Sequence, residues 1–314
     1  MTRALLLSLV TMIPSATIPR QGGASHVLII TGLSAEPRFA KAFADAAGAI
    51  YDAAHGPWHV ADSDLVYLAE NRDADPRRVT GQATKAMVGQ AFEALARRVH
   101  PGDVVLVFLL GHGSGEMAAS AVNLPGPDPT AADYASWLAP LGRATVVFVN
   151  ASSASGDFAA VLAGPNRAIV TATKTAIERN ESVFASWFAK ALTGTEADTD
   201  KDGRVTIAEA FTWARDQVAK VYESTNRLLT EHAMLVDSGG VAARIAFGGD
   251  AASTDPRVTA LVGERRVLES LIDSLRRLKP TMDSTAYEQS LEKLLLQIAA
   301  KTQAIRALQA GARP

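Results

Sequence analysis

The sequence predicts an α/β fold, a mostly parallel sheet with helices on both faces. Two observations carry the prediction. Short apolar runs rich in β-branched residues recur from His26 to Thr173 with little polar alternation, and segments with apolar residues at helical spacing separate them. A strand buried on both faces loses its alternation, and parallel strands need long crossovers, usually helices, to connect them. At 314 residues and 48% hydrophobic content, the chain is long enough for one large domain with an appendage and too apolar for disorder.

Residues 1–24 read as a secretory signal: Arg3 opens it, an apolar run extends from Ala4 to Ile13, and Pro14-Ser15-Ala16 closes it, with Gly22-Gly23-Ala24 as a later cleavage option. The run is too short to span a bilayer, and the chain is expected to be exported, periplasmic or secreted. The alternative, an apolar first strand, is cut off from the β-branched run at His26 by Pro14 and Gly22-Gly23. His26 to Leu33 is then the first strand, and Arg38 to Ile50 a helix carrying Phe39, Phe43 and Ala47 on one side. A second strand is expected at Leu65–Leu68, and a helix at Val79–Val99 with Thr80 or Thr84 near its start. Asp103–Leu110, Thr145–Asn150 and Ala168–Thr173 are further strands; Thr130–Leu138, Asp157–Leu162 and Ser182–Leu192 are helices.

The tail changes character. Leu261, Leu268, Leu271, Ile272, Leu275 and Leu278 recur at helical spacing, Lys279-Pro280 interrupts, and Tyr287, Leu291, Leu294, Leu295, Ile298, Ile305 and Leu308 resume it. This predicts an antiparallel helical hairpin over 255–310, appended to an α/β domain over 25–250. Its narrow leucine-rich seam suits packing within the hairpin or self-association with a second copy. A formal net charge of −2 lacks the basic footprint of a general nucleic-acid binder. The chain has no cysteine, which excludes disulfides, thiolate metal sites and any cysteine nucleophile.

Chemistry in such sheets collects beyond the carboxyl ends of the strands. Two motifs stand there. Gly111-His112-Gly113-Ser114-Gly115 succeeds the strongest strand, where glycines let the backbone approach a ligand beside an imidazole. Asn150-Ala-Ser-Ser-Ala-Ser-Gly156 succeeds the next, and it reads either as a source of hydroxyl and amide groups for an oxyanion or as a serine-rich helix cap.

Together these motifs resemble the catalytic signature of the caspase and legumain clan of cysteine peptidases, in which a strand ends in His-Gly and the next in Ala-Cys-x-Ser-Gly or a close variant. The chain looks like a bacterial legumain-like branch over about His26 to Ala246, and Arg167 to Phe184 resembles the segment after the nucleophile in that group. The resemblance implies a caspase-hemoglobinase fold with a His–Cys dyad. His112 matches the dyad histidine and Gly113 the oxyanion-hole glycine. The nucleophile position falls at Ser153 when aligned on Ser155-Gly156, or at Ser152 when aligned on Ala151. By the same resemblance, Glu178, Arg179 and Glu181 could line a substrate pocket. The departure concerns mechanism: a thiol ionises near neutral pH, whereas a serine needs a close base that is itself oriented by a third group, and no carboxylate in either motif orients His112. The expectation is a pseudopeptidase that binds a peptide or protein at the old cleft. The alternatives are an active hydrolase with Ser153 as nucleophile and His112 as base, and an assembly module acting through the hairpin.

A third motif, Asp198 to Glu209, satisfies a twelve-residue calcium loop. Asp198, Asp200 and Asp202 occupy positions one, three and five, Gly203 position six, and Glu209 position twelve; Arg204 would offer its carbonyl and Thr206 position nine. Thr206-Ile-Ala-Glu209 is equally a capping box for the next helix. No second such loop pairs with it, so weak structural Ca2+ is expected. Glu231 and His232 read as packing or cap residues, Leu124 to Asp128 as a turn, and Trp187 and Trp213 as core.

Overall fold

A seven-stranded sheet organises the chain. The computed structural model describes residues 23–180, 182–200, 203–248 and 279–311, with scattered positions between 257 and 275. In chain order the strands are β1 (Ser25–Thr31), β2 (Leu65–Ala69), β3 (Gly81–Gln82), β4 (Val104–Leu110), β5 (Gly113–Ser114), β6 (Ala121–Val122), β7 (Thr145–Asn150), β8 (Arg167–Thr171), β9 (Arg204–Thr206), β10 (Met234–Asp237) and β11 (Ala246–Gly248). The main sheet runs β10-β8-β7-β4-β1-β2-β3. Every neighbouring pair is parallel except β8–β10.

The all-apolar run of β4 places it at the centre, with Leu106 in register with Val27 on one side and Val147 on the other. Successive side chains point to opposite faces, so the apolar strands feed two cores. Val27, Ile29, Leu106 and Phe108 pack under α1 (Pro37–His55), α5 (Phe184–Thr193), α6 (Ile207–Ser224) and α7 (Val241–Arg244). Leu28, Ile30, Val105 and Val107 pack under α2 (Lys85–Arg98), α3 (Ala131–Leu138) and α4 (Phe158–Leu162). Each such fully buried aliphatic side chain contributes roughly 1.5–3 kcal/mol. At the amino edge of the sheet, buried His26 lies between Asp64 (3.0 Å) and Asp103 (3.3 Å). Burial works to raise the Asp103 carboxyl, but the N–H groups of His100 and Ala24 and the His26 ring together hold it below the ordinary range.

Two expectations change in detail. The helix expected from Val79 starts at Lys85, because the Thr84 hydroxyl caps it by accepting from the Met87 N–H at 3.3 Å, and Gly81–Gln82 pair with β2 as an edge strand. Trp187 and Trp213 are half-buried, meeting edge-to-face with centroids 5.7 Å apart and Lys190 beside both rings. At the C-terminus a 3-10 turn, Lys279–Thr281, stands at the expected break, and beyond it runs a long helix, Ser284–Gly311. Much of the expected first hairpin helix, and residues 1–22 of the signal-like segment, lie outside the described residues. Where positions are described, Val258 and Ile305 are buried in one cluster with Leu261 and Leu308 against it, and Lys301 pairs with Glu264. Among the described residues no helix is long and apolar enough to cross a membrane.

Candidate functional site

Because β4 and β7 are parallel neighbours with Leu109 opposite Asn150, the His-Gly and Ser-rich loops leave the sheet side by side. The strand order also reverses between β1 and β4, the position outside the carboxyl ends where open α/β sheets bind ligands. Asn123 joins the walls. Its N–H donates to the His112 carbonyl at 2.9 Å, its carbonyl accepts from the Leu33 N–H at 2.8 Å, and its Oδ1 accepts from the Ser114 hydroxyl at 2.9 Å.

The His112 ring is half-buried and edge-on to two phenylalanines of α1, with centroids 4.8 Å from Phe39 and 5.4 Å from Phe43. The helical spacing that placed Phe39 and Phe43 on the core side of α1 thus also makes them the imidazole's walls. Among the described residues no hydrogen bond joins the imidazole to Ser152, to Ser153 or to a carboxylate.

The structure gives the two serines different environments. Ser152 is fully buried, and its hydroxyl donates to Asn150 Oδ1 at 2.6 Å while its N–H donates to the same oxygen at 3.1 Å. Ser153 faces Gly113, whose N–H donates to the Ser153 hydroxyl oxygen at 3.3 Å. A Cβ on Gly113 would lie 2.3 Å from the Ser153 carbonyl oxygen, so only glycine permits this approach. Ser155 serves the scaffold, its hydroxyl accepting from the N–H groups of Ala172 and Thr173 at 3.1 and 3.2 Å. Gly156 abuts Lys174, which a Cβ would meet at 2.2 Å. The loop therefore turns back on β8 through Ala154, a non-glycine residue at φ 53°.

No protein-family model and no curated protein matches this chain.

Residues outside the motifs complete the rim. The Asp157 carboxylate accepts from the Met117 N–H at 2.5 Å and ties the turn Met117–Ala119 to α4. Arg179 pairs with Glu116 at 3.2 Å, and the Glu178 carbonyl accepts from the Ala154 N–H at 2.8 Å. The Glu178 carboxylate holds the His232 ring (2.7 Å) and the Lys174 N–H (3.0 Å), which makes it a rim brace. Glu181 lies outside the described residues. Glu231 is buried at the start of α5, accepting from the Ser182 hydroxyl at 2.5 Å, the Val183 N–H at 3.0 Å and the Phe184 N–H at 2.9 Å. Burial pushes its carboxyl above the ordinary range against the pull of these bonds. The signal for Asn150 was a polar residue closing an apolar strand; Asp157 and Glu116 gave none, because their partners are distant in sequence.

The acidic loop lies at the other edge. Carboxylate oxygens of Asp198, Asp200 and Glu209 come within 4.8 Å of one another, while Asp202 lies outside the described residues. Hard oxygen ligands at that separation suit a cation that binds oxygen at about 2.3–2.6 Å. Gly203 sits at φ 87° and its N–H donates to Asp198 Oδ2 at 3.0 Å. Arg204 and Thr206 belong to β9, which pairs antiparallel with β11. The capping box is formed as well: the Thr206 hydroxyl accepts from the Glu209 N–H at 3.1 Å, and Glu209 Oε2 accepts from the Thr206 N–H at 2.9 Å. Glu209 Oε1 accepts from the Thr199 N–H at 2.9 Å, so the acidic turn and the helix start share one side chain.

Proposed function

We propose that this chain is a caspase- or legumain-like protein, exported and carrying a C-terminal helical hairpin, that keeps the peptidase cleft for binding a peptide or protein segment and does not hydrolyse it. One observation carries the reading: the Ser153 hydroxyl oxygen rests on the Gly113 N–H, and His112 is not bonded to it. Serine attack needs a base in hydrogen-bond contact and a third group to orient that base. Here the imidazole is flanked by Phe39 and Phe43 instead. The amide that the resemblance assigns to an oxyanion already serves the hydroxyl. The test is an activity-based serine probe together with a peptide library. No labelling and no cleavage are expected; hydrolysis that disappears in both His112→Ala and Ser153→Ala would overturn the proposal in favour of a Ser153 hydrolase.

A second reading concerns the acidic loop, and the convergence of Asp198, Asp200 and Glu209 favours it. Asp198, Asp200, Asp202 and Glu209 would hold Ca2+ by side-chain oxygens, with the Arg204 carbonyl and Thr206 completing the shell, and the ion would brace the loop between α5 and α6. Calorimetry at millimolar calcium is expected to give a binding heat that Asp198→Ala abolishes. No heat, or heat unchanged in the variant, refutes it. Exposed Leu295 and Leu296 on the C-terminal helix favour self-association through that helix as a further use of the tail.

A further inference from the structure

The C-terminal helix reaches the acidic loop. Arg306 Nη2 donates to the carbonyl of Asp200 at 3.0 Å, and Asp200, Arg265, Thr302, Gln303 and Arg306 line one cavity of about 570 Å³. Arg265 is 1% exposed, so the cavity beside Asp200 has one buried arginine in its lining and a second, Arg306, bonded to the loop. Residues 198–209 contain four carboxylates, Lys201 and Arg204, a net −2 that one divalent cation cancels. The Asp200 backbone is held from both sides: its C=O by Arg306, and its N–H by Glu209 Oε1 at 3.4 Å. Glu209 is also the residue that would turn to a metal from position twelve of the loop.

We propose that the C-terminal helix is the resident partner of the acidic loop, docked through Arg306 beside the buried Arg265 of the preceding segment, and that a divalent cation on the loop weakens its hold. The inference rests on the calcium reading of the loop and adds its regulation. A cation removes the charge that attracts Arg306, and recruiting Glu209 takes away the brace on the Asp200 N–H. Linkage then requires the reverse effect: a docked helix lowers cation affinity by the same factor.

The full chain is titrated with calcium chloride by calorimetry at low salt, where screening is least. Wild type, Arg306→Gln and Arg306→Lys are compared, and hydrogen exchange over residues 295–308 is measured with and without calcium. Arg306 is exposed, so neither substitution disturbs a core. Arg306→Gln is expected to bind calcium about fivefold tighter, Arg306→Lys to fall nearer wild type, and calcium to speed exchange over 295–308 in wild type. Calcium heat with equal affinity in wild type and Arg306→Gln, or slower exchange over 295–308 with calcium, overturns the coupling and leaves the metal reading standing. No heat in any of the three proteins overturns both.

Discussion

Gly113 is where two loops meet with no room between them. An alanine there would place its Cβ 2.3 Å from the Ser153 carbonyl oxygen, a backbone atom that can move only if the loop from Ala151 to Gly156 moves with it. Gly113→Ala is therefore expected to cost about 2 kcal/mol or more, read as a lowered urea midpoint. A wild-type midpoint would mean that the loops are not packed this way. The sequence marks Gly113 and Ser153 as a pair only through resemblance, because a close backbone approach has no signature of its own. It leaves Ser152 and Ser153 as alternatives for the same reason, since the difference between them is the side chain of Asn150. That amide oxygen takes both the N–H and the hydroxyl of Ser152, whose Oγ would still lie 3.0 Å from a Cβ on Gly113, and the Gly113 N–H goes to the Ser153 hydroxyl.

Elements whose apolar pattern is long and regular were legible. The strands at β1, β4, β7 and β8 lie where the runs of valine, isoleucine and leucine put them, since burial on both faces demands such runs. β3 was not legible: two residues carry no period, and the edge pairing of Gly81–Gln82 is fixed by its neighbour β2. β10 escaped too, as four half-buried residues at a sheet edge. The start of α5 shows how an element can depend on a distant side chain. Its cap is Glu231, 47 residues away from Phe184; the sequence reads Glu231 as a packing or cap residue, but local spacing does not say which helix it serves. The folded state holds this carboxyl above its ordinary value of 4.5, so folding takes up a proton, and stability falls as pH rises from the unfolded value through the folded one. Glu231→Gln is expected to flatten that decline in urea midpoints as pH rises above the ordinary glutamate value. A variant with the same slope as wild type would exclude Glu231 as its source.

Across the whole molecule the two candidate sites stand at opposite ends of the sheet. α5 leaves the carboxyl edge and delivers the acidic loop near the amino edge, where Arg204 lines a cavity with Ser25 and Val104, and α6 returns. Seven-residue strands separate the two edges by roughly 23 Å. Sites that far apart without shared partners behave additively, so calcium titration of His112→Ala is expected to reproduce wild type. Altered affinity would mean that α5 and α6 transmit between the edges. The reversed direction of β10 has a different consequence. A parallel last strand would have required the chain to cross from one edge to the other, but here residues 225–233 leave α6 and enter β10 at the same edge. The rim of the candidate site thus has one segment whose two ends are anchored close together, and doubling such a loop adds only about 0.6 kcal/mol of closure entropy. Its exposed stretch 225–228, ahead of Glu231, is where insertions would be tolerated, and where the fold would acquire a new specificity without rebuilding its sheet.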